Sequence, residues 1–298
     1  LWRVRADKMM SYRIFTEATA DLTPELLKCL PEVGVLPMDI TLGEQSYTYG
    51  PGGNISVEEF YRVQRGGQFA STSQIRPPIY LQAFGDCLRW GEDVLYLCFT
   101  SGMSGTFQTA CLCAEELPEQ YPRQRVVCLD TLCASIGEGF LVREAARKQA
   151  EGLALDELTA WVQENRLKVC HWFTVDTFEH LKHGGRVSGA AAAVATVLQI
   201  KPLLHVSKQG ALEVVEKPRG AKHAMETQLR RMEKGWNRQM GTSVWIGHGD
   251  CPERAAQLKA AVEQRFPEAQ VTIASIGPVI GAHTGPGMLA VIFWGTER

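Results

Sequence analysis

Several features that would assign a function class are missing from this sequence of 298 residues. It has no run of 18 apolar residues, so no segment is expected to span a membrane. Lys and Arg total 31 against 33 Asp and Glu, and this balance, without a basic stripe, argues against a nucleic-acid-binding surface. No P-loop, G-x-G-x-x-G, H-E-x-x-H or paired-cysteine zinc pattern occurs. Nucleotide, dinucleotide and metal chemistry therefore have no motif to support them, and we expect no cofactor and no metal site.

The cysteines also lack the pattern of a disulfide framework. There are nine, an odd number, and none forms C-x-x-C. With no secretion signal evident, this favours reduced thiols and a cytoplasmic protein. Hydrophobic residues make up 45% of the chain and charged residues 21%, which is typical of a globular protein with a sizeable core.

The apolar pattern divides the chain into two α/β domains. Residues 1–9 are basic, lack an apolar stretch and precede Met10, so we expect an upstream extension there. Over residues 10–168, short apolar strands alternate with amphipathic helices, which predicts parallel βαβ units. Residues 169–298 form the second predicted domain, whose sheet is mixed because a turn at 208–210 joins two strand-like runs.

Some element predictions are specific enough to be tested individually. Pro24 is expected at the first position of a short helix, and residues 33–42 as one strand. Ser56 begins the S-x-x-E pattern of a capping box. An alanine-rich helix is expected over residues 190–198, where small side chains leave room for a ligand or for tight helix packing.

Four polar loops could carry chemistry, and they lie at residues 71–74, 100–106, 183–188 and 281–287. The second follows a buried strand and opens a helix, and this combination of free N–H donors, glycines and hydroxyls predicts an anion site. The fourth contains three glycines and a proline, so we predict a loop with His283 as its titratable group. The alternative for all four is purely structural, because the same residue types cap helices and form turns.

The second loop also comes close to a serine-hydrolase motif. Gly102-Met103-Ser104-Gly105-Thr106 resembles G-x-S-x-G but has Thr in place of the last glycine. A hydrolase would need a base beside Ser104, and His248, which follows a predicted strand, is the available one. This is the alternative enzyme hypothesis.

Seven segments, in their order along the chain, resemble the DegV family. They are T-A-D-L at 19–22, T-S-Q at 72–74, S-G-M-S-G-T at 101–106, L-K-H-G-G-R-V-S at 181–188, I-K-P-L-L at 200–204, K-P-R-G at 217–220 and G-P-V-I-G-A-H-T-G-P-G at 277–287. The resemblance runs from Met10 to the C-terminus. Three positions depart from the family pattern, since Glu17-Ala18 replaces its usual Asp-Ser, Gly102 the second serine of a Ser-Ser pair, and Ile75 a proline.

The resemblance implies a two-domain fold like that of the substrate-binding subunit of dihydroxyacetone kinase. It also implies a fatty-acid-binding subunit of bacterial fatty acid kinase, which buries a long-chain fatty acid between its domains. Such a subunit is not itself an enzyme, because a separate ATP-dependent kinase subunit makes the acyl phosphate.

The resemblance further implies which residues form the site. Thr72 and Ser104 would hold the carboxylate, with Ser101 as the alternative serine, and His283 would lie beside it. Arg186 and Arg219 would line a positive mouth where the kinase docks. The full set of expected ligand-binding residues is Thr72, Ser73, Ser101, Gly102, Ser104, Gly105, His283 and Thr284.

Overall fold

A computed structural model describes residues 11–187, 199–296 and 298. The first part of the chain forms a four-stranded parallel sheet in the order β2–β1–β6–β7. Its strands are β1 (Tyr12–Glu17), β2 (Val33–Leu36), β6 (Asp93–Cys98) and β7 (Val126–Asp130). Every residue of β6 is buried, as expected for a central strand that is covered on both faces.

A smaller antiparallel sheet, in the order β4–β3–β5, lies beside the parallel one. Its strands are β3 (Met38–Leu42), β4 (Gln45–Tyr49) and β5 (Ala70–Thr72). The prediction of one strand over residues 33–42 is wrong, because Pro37 divides it and the two halves join different sheets. The predicted loop at 71–74 is partly wrong as well, since Thr72 pairs with Ile40.

Helices pack around these two sheets. They are α1 (Val57–Arg65), α2 (Pro77–Arg89), α3 (Thr106–Glu116), α4 (Ser135–Ala150) and α5 (Leu155–Asn165). The predicted cap of α1 is confirmed, because Ser56 Oγ accepts a hydrogen bond from the Glu59 N–H at 3.1 Å. The helix predicted to start at Pro24 is wrong: the segment forms successive turns, and Cys29 adopts a left-handed φ of 64°.

The second part of the chain forms a six-stranded mixed sheet in the order β10–β9–β8–β13–β11–β12. Its strands are β8 (Val169–Thr174), β9 (Leu203–Val206), β10 (Leu212–Glu216), β11 (Ser243–His248), β12 (Gln270–Ser275) and β13 (Leu289–Trp294). The pair β11–β12 is parallel and the other pairs are antiparallel, so the mixed character is confirmed. The strands change sheet at residue 169, the predicted start of the second domain.

Four helices of the described residues accompany this sheet: α6 (Glu179–His183), α7 (Ala221–Gly235), α8 (Pro252–Arg265) and α9 (Pro278–Thr284). The predicted loop at 281–287 is wrong in its first half, because His283 lies in the last turn of α9. Gly277 and Pro278 start this helix, a common arrangement at helix N-termini. The helix predicted over residues 190–198 lies outside the described residues.

Helix α4 lies between the two large sheets. Its apolar residues are buried on nearly all sides, as expected for a helix enclosed in a core. Phe140 packs edge-on against Trp245 and Trp294 of the six-stranded sheet, with ring centroids 5.5 Å and 5.2 Å away. The same core includes Ile14 and Leu95 of the parallel sheet. The packing of α4 against both sheets therefore fixes their relative position.

Candidate functional site

A narrow apolar cavity lies where the carboxyl end of the parallel sheet meets the six-stranded sheet. The cavity encloses about 800 Å³ including its open end. The centre of a water molecule fits in only about 80 Å³ of this space, so the cavity is narrow. Its apolar walls come from both parts of the chain and comprise Met38, Phe99, Met103, Ala134, Ile136, Phe173, Leu181, Val206, Leu212, Val279, Ile280, Met288, Ala290 and Ile292. These dimensions suit a slender apolar ligand.

Thr72 and His283 meet in the wall of this cavity. Thr72 stands at the end of β5 and His283 in the last turn of α9, and Thr72 Oγ1 lies 2.8 Å from His283 Nε2. Burial, together with the charge of Arg186 and the neighbouring His183, lowers the pKa of His283 to about 4. The imidazole is therefore neutral at pH 7. Its buried Nδ1 faces Gly184 and has no hydrogen-bond partner among the described residues.

Arg186 brings a positive charge to the same cavity. Helix α6 ends at His183, and Gly185 then adopts a φ of 69°, which favours glycine. The guanidinium is held by carbonyls, because it donates to Gly184 O and, at 3.3 Å, to Met103 O. Within the described ranges no carboxylate lies within 4.0 Å of it. A cation fixed by neutral groups is well suited to attract an anion.

Ser104 lines the cavity, but its hydroxyl also organises the start of α3. Its Oγ lies 2.8 Å from Thr106 Oγ1 and accepts a hydrogen bond from the Thr106 N–H at 3.2 Å. Thr284 lines the cavity too, and it donates its hydroxyl to Ile280 O at 3.1 Å. Of the predicted hydroxyl residues that line the cavity, Thr72 is therefore the one whose hydroxyl bonds to a side chain and not to the backbone.

The remaining predicted residues do not line the cavity. Ser73 is exposed, and the Ser101 N–H donates to Asp130 Oδ1. Gly102 and Gly105 allow close packing, since a Cβ on Gly102 would lie 2.7 Å from Gln209 O and one on Gly105 2.6 Å from the Gln74 amide. Arg219 is exposed in a separate depression that it shares with Glu216, Lys217 and Arg230.

The structure gives the hydrolase hypothesis no supporting contact. His248 ends β11, and its Nδ1 accepts a hydrogen bond from the Cys251 N–H at 3.3 Å. Among the described residues, Ser104 exchanges hydrogen bonds with Thr106 and none with His248, which does not line the cavity.

Sequence reasoning missed a second polar region of the cavity, formed by Thr19, Ser135 and His171. Ser135 donates to Asp21 Oδ2 at 2.6 Å, and the Gly277 N–H at the start of α9 donates to Asp21 Oδ1 at 2.8 Å. Thr19 belongs to one of the recognised segments, but nothing in the sequence pointed to Ser135 or His171. Helix α9 connects the two regions, because its N-cap Gly277 contacts Asp21 and its last turn carries His283, about 9 Å further along the helix axis.

Buried carboxyl groups lie behind this second region. Glu138 accepts hydrogen bonds from Thr16 at 2.9 Å and from Thr19 at 3.0 Å, and burial next to Glu17 raises its pKa well above the ordinary value. Burial also raises the pKa of Glu17 and that of Asp21 to about 7 each. These shifts favour the neutral carboxyl groups, and Arg186 is the charged side chain among the described residues that line the cavity.

No group of three or more His, Cys, Asp or Glu side chains in the described ranges is arranged to hold a metal ion. None of the described helices is long and apolar enough to cross a membrane. No disulfide joins any of the nine cysteines, all of which are described.

Comparison with known proteins decides the family. A family model described as an uncharacterised protein, DegV family, matches residues 11–295. A DegV domain-containing protein of Clostridium perfringens is 37% identical over 290 residues, which cover 97% of this chain and 99% of that protein. The chain belongs to the DegV family.

Solved DegV structures share the fold of this chain. A DegV family protein of Thermus thermophilus, described for its fatty acid binding, is 30% identical and has a TM-score of 0.85 over 96% of this chain and 100% of that one. The Fatty Acid Kinase B3 protein of Streptococcus pneumoniae, loaded with linoleic acid, has a TM-score of 0.85 at 19% identity, over 96% of this chain and 99% of that one. This likeness confirms the α/β architecture with one parallel and one mixed sheet.

Proposed function

We propose that this DegV protein is a fatty-acid carrier: it buries a long acyl chain in the cavity and presents the carboxylate to a separate ATP-dependent kinase for acyl phosphate formation. The observation that carries the proposal is the cavity itself, which has apolar walls and, at one place, Thr72, His283 and Arg186 together. The fatty acids bound by the DegV proteins of known structure support it.

The apolar walls supply the affinity. Burying a chain of roughly 14 methylenes stabilises the complex by about 11 kcal/mol, at about 0.8 kcal/mol per methylene. This gross gain covers the cost of immobilising the ligand and leaves a tight complex. Because the cavity is narrow, its walls contact the acyl chain closely and leave little space for water.

The head group needs donors, and Thr72 is placed to provide one. A neutral His283 that carries its proton on Nε2 donates to Thr72 Oγ1, which orients the Thr72 O–H toward the ligand. The carboxylate then accepts a hydrogen bond from the Thr72 hydroxyl. Ser104 is the other hydroxyl of the predicted carboxylate-holding pair, and it lines the same cavity. His283 is a positioning residue in this arrangement, because it acts through Thr72.

Docking of the kinase would use two positive side chains, the half-buried Arg186 and the exposed Arg219. Arg186 is the cation that lines the cavity, and Arg219, in a separate depression, is the second residue proposed for docking. A cytoplasmic location fits a kinase that uses ATP and a chain in which no disulfide links the cysteines.

Lipid extraction followed by mass spectrometry tests the carrier function. The purified protein should release a long-chain fatty acid, and the delipidated protein should bind palmitate or oleate with one ligand per chain. With ATP and the kinase subunit, the loaded protein should yield an acyl phosphate, whereas the carrier alone should not. A protein that neither contains nor takes up a fatty acid would refute the proposal.

A further inference from the structure

A second pocket lies on the opposite face of the six-stranded sheet from the fatty-acid cavity. Successive residues of a strand point to opposite faces, so Phe173 lines the cavity while Thr174 lines this pocket, and Ala290 and Leu289 divide in the same way. The pocket has a volume of about 380 Å³. It lies between the sheet and the first turns of α7 and α8, and it is large enough for a small metabolite.

The described lining of this pocket is cationic. Lys201, Lys222 and Arg254 contribute to it, and no acidic side chain does. Asp176 pairs with Lys201 Nζ at 2.8 Å and with Arg254 Nη1 at 3.0 Å. One acid against three cations leaves an excess of positive charge. Lys201 belongs to the I-K-P-L-L segment, to which the carrier function assigns no role.

The N-terminus of α7 adds to this field. Its N-cap is Gly220, which has no side chain to satisfy the free N–H groups, and its first turn contains no acidic residue. Ala221 and Lys222 of this first turn line the pocket. A helix of 15 residues places about half a positive charge at such an end, where backbone N–H groups bind phosphate readily.

A buried glutamine points independently to a ligand. Gln228 is fully buried and lines the pocket, and its Nε2 donates to Trp172 O at 3.1 Å and to Leu289 O at 2.9 Å. These two acceptors fix which end of the amide is the nitrogen. Its Oε1 has no hydrogen-bond partner among the described residues. Burying an acceptor without a partner costs free energy. A ligand hydroxyl or N–H group that donates to Gln228 Oε1 would remove this cost.

We propose that this pocket binds a small phosphate monoester that carries a hydroxyl group. The phosphate is held by Lys201, Lys222 and the first N–H groups of α7, and the hydroxyl donates to Gln228 Oε1. The site is separate from the fatty-acid cavity, so it requires no fatty acid to form and stands whether or not the carrier function holds.

Isothermal titration of the full chain with three probes tests this assignment. Glycerol 3-phosphate should bind, and propyl phosphate, which lacks both hydroxyls, should bind roughly tenfold more weakly because Gln228 Oε1 then stays unpaired. Glycerol alone should not bind detectably. Because this comparison uses the unaltered protein, it does not depend on whether a Gln228 variant folds.

Variants then locate the site. Lys201→Ala should weaken glycerol 3-phosphate binding by about ten- to a hundredfold. The matched control Lys208→Ala, an exposed lysine in the turn between β9 and β10, should leave it unchanged. Fatty acid binding should be the same in all three proteins. Absence of glycerol 3-phosphate binding, equal affinity for propyl phosphate, or equal loss in the Lys208 control would overturn the proposal.

Discussion

Replacing Thr72 by valine removes one hydroxyl and keeps the shape of the side chain. The hydroxyl lies 2.8 Å from His283 Nε2, and in the carrier it donates to the carboxylate of the fatty acid. A hydrogen bond to a charged group contributes about 1.5–3 kcal/mol, so Thr72→Val should weaken binding by roughly ten- to a hundredfold. The apolar contacts of the acyl chain should remain intact.

Displacement of a fluorescent fatty acid by palmitate measures this change directly. Thr72→Ser keeps the hydroxyl and is the matched control, so its affinity should stay within about threefold of the unaltered protein. The methyl ester of palmitate should bind Thr72→Val and the unaltered protein with similar affinity, because it has no carboxylate to satisfy. If Thr72→Val binds palmitate as tightly as Thr72→Ser does, the head-group assignment is refuted.

Three further predictions follow from other parts of the structure. Arg186→Ala should retain fatty acid but lower acyl phosphate formation with the kinase, with partial rescue at higher carrier concentration; full activity at all concentrations would show that Arg186 does not serve docking. The folded-state pKa of Asp21 is about 7 against an ordinary value of 3.8, so the folded protein holds a proton that the unfolded chain lacks between these pH values, and stability falls as pH rises through this window. Asn at position 21 mimics the protonated acid and tolerates the φ of 50°. In Asp21→Asn, urea unfolding should therefore show a free energy of unfolding whose slope against pH is flatter by up to about 1.4 kcal/mol per pH unit. An unchanged slope would contradict the burial argument. Gly102→Ala would place a Cβ against the Gln209–Gly210 backbone and should lower the free energy of unfolding by about 1–3 kcal/mol; a change below about 0.5 kcal/mol would show that the hairpin yields freely.

The sequence predicted most of the large elements because their apolar patterns are long. The alternation of strands and helices over residues 10–168 follows from such patterns, and Ser56 marks the start of α1. The fold class followed from the alternation of such elements, and it is confirmed.

The elements that were missed are short, and two of them carry the site. Strand β5 has three residues and is defined by pairing with β3, a contact distant in sequence. Helix α9 contains Gly281, which lies against Phe60 and Tyr61, and the glycine-rich pattern therefore suggested a loop. Tertiary packing outweighs local propensity in both cases.

The sequence also could not predict which side chains of the site contact one another. Thr72 and His283 are 211 positions apart, and only the fold brings them together. Ser135 and His171 belong to no recognisable motif. They line the cavity because Ser135 is the first residue of α4 and His171 lies in β8, and both elements border the cavity. Resemblance to the DegV family named Thr72, Ser104, Arg186, His283 and Thr284, and in the structure these five residues line one cavity.

The most direct test of the carrier function is a crystal structure of the delipidated protein reloaded with palmitate. The account predicts continuous density for the acyl chain between the two sheets, with the carboxylate within hydrogen-bond distance of Thr72 Oγ1 and on the side of the cavity where Arg186 lies. An empty cavity at saturating palmitate, or a chain bound elsewhere with Thr72 bonded only to His283, would contradict it.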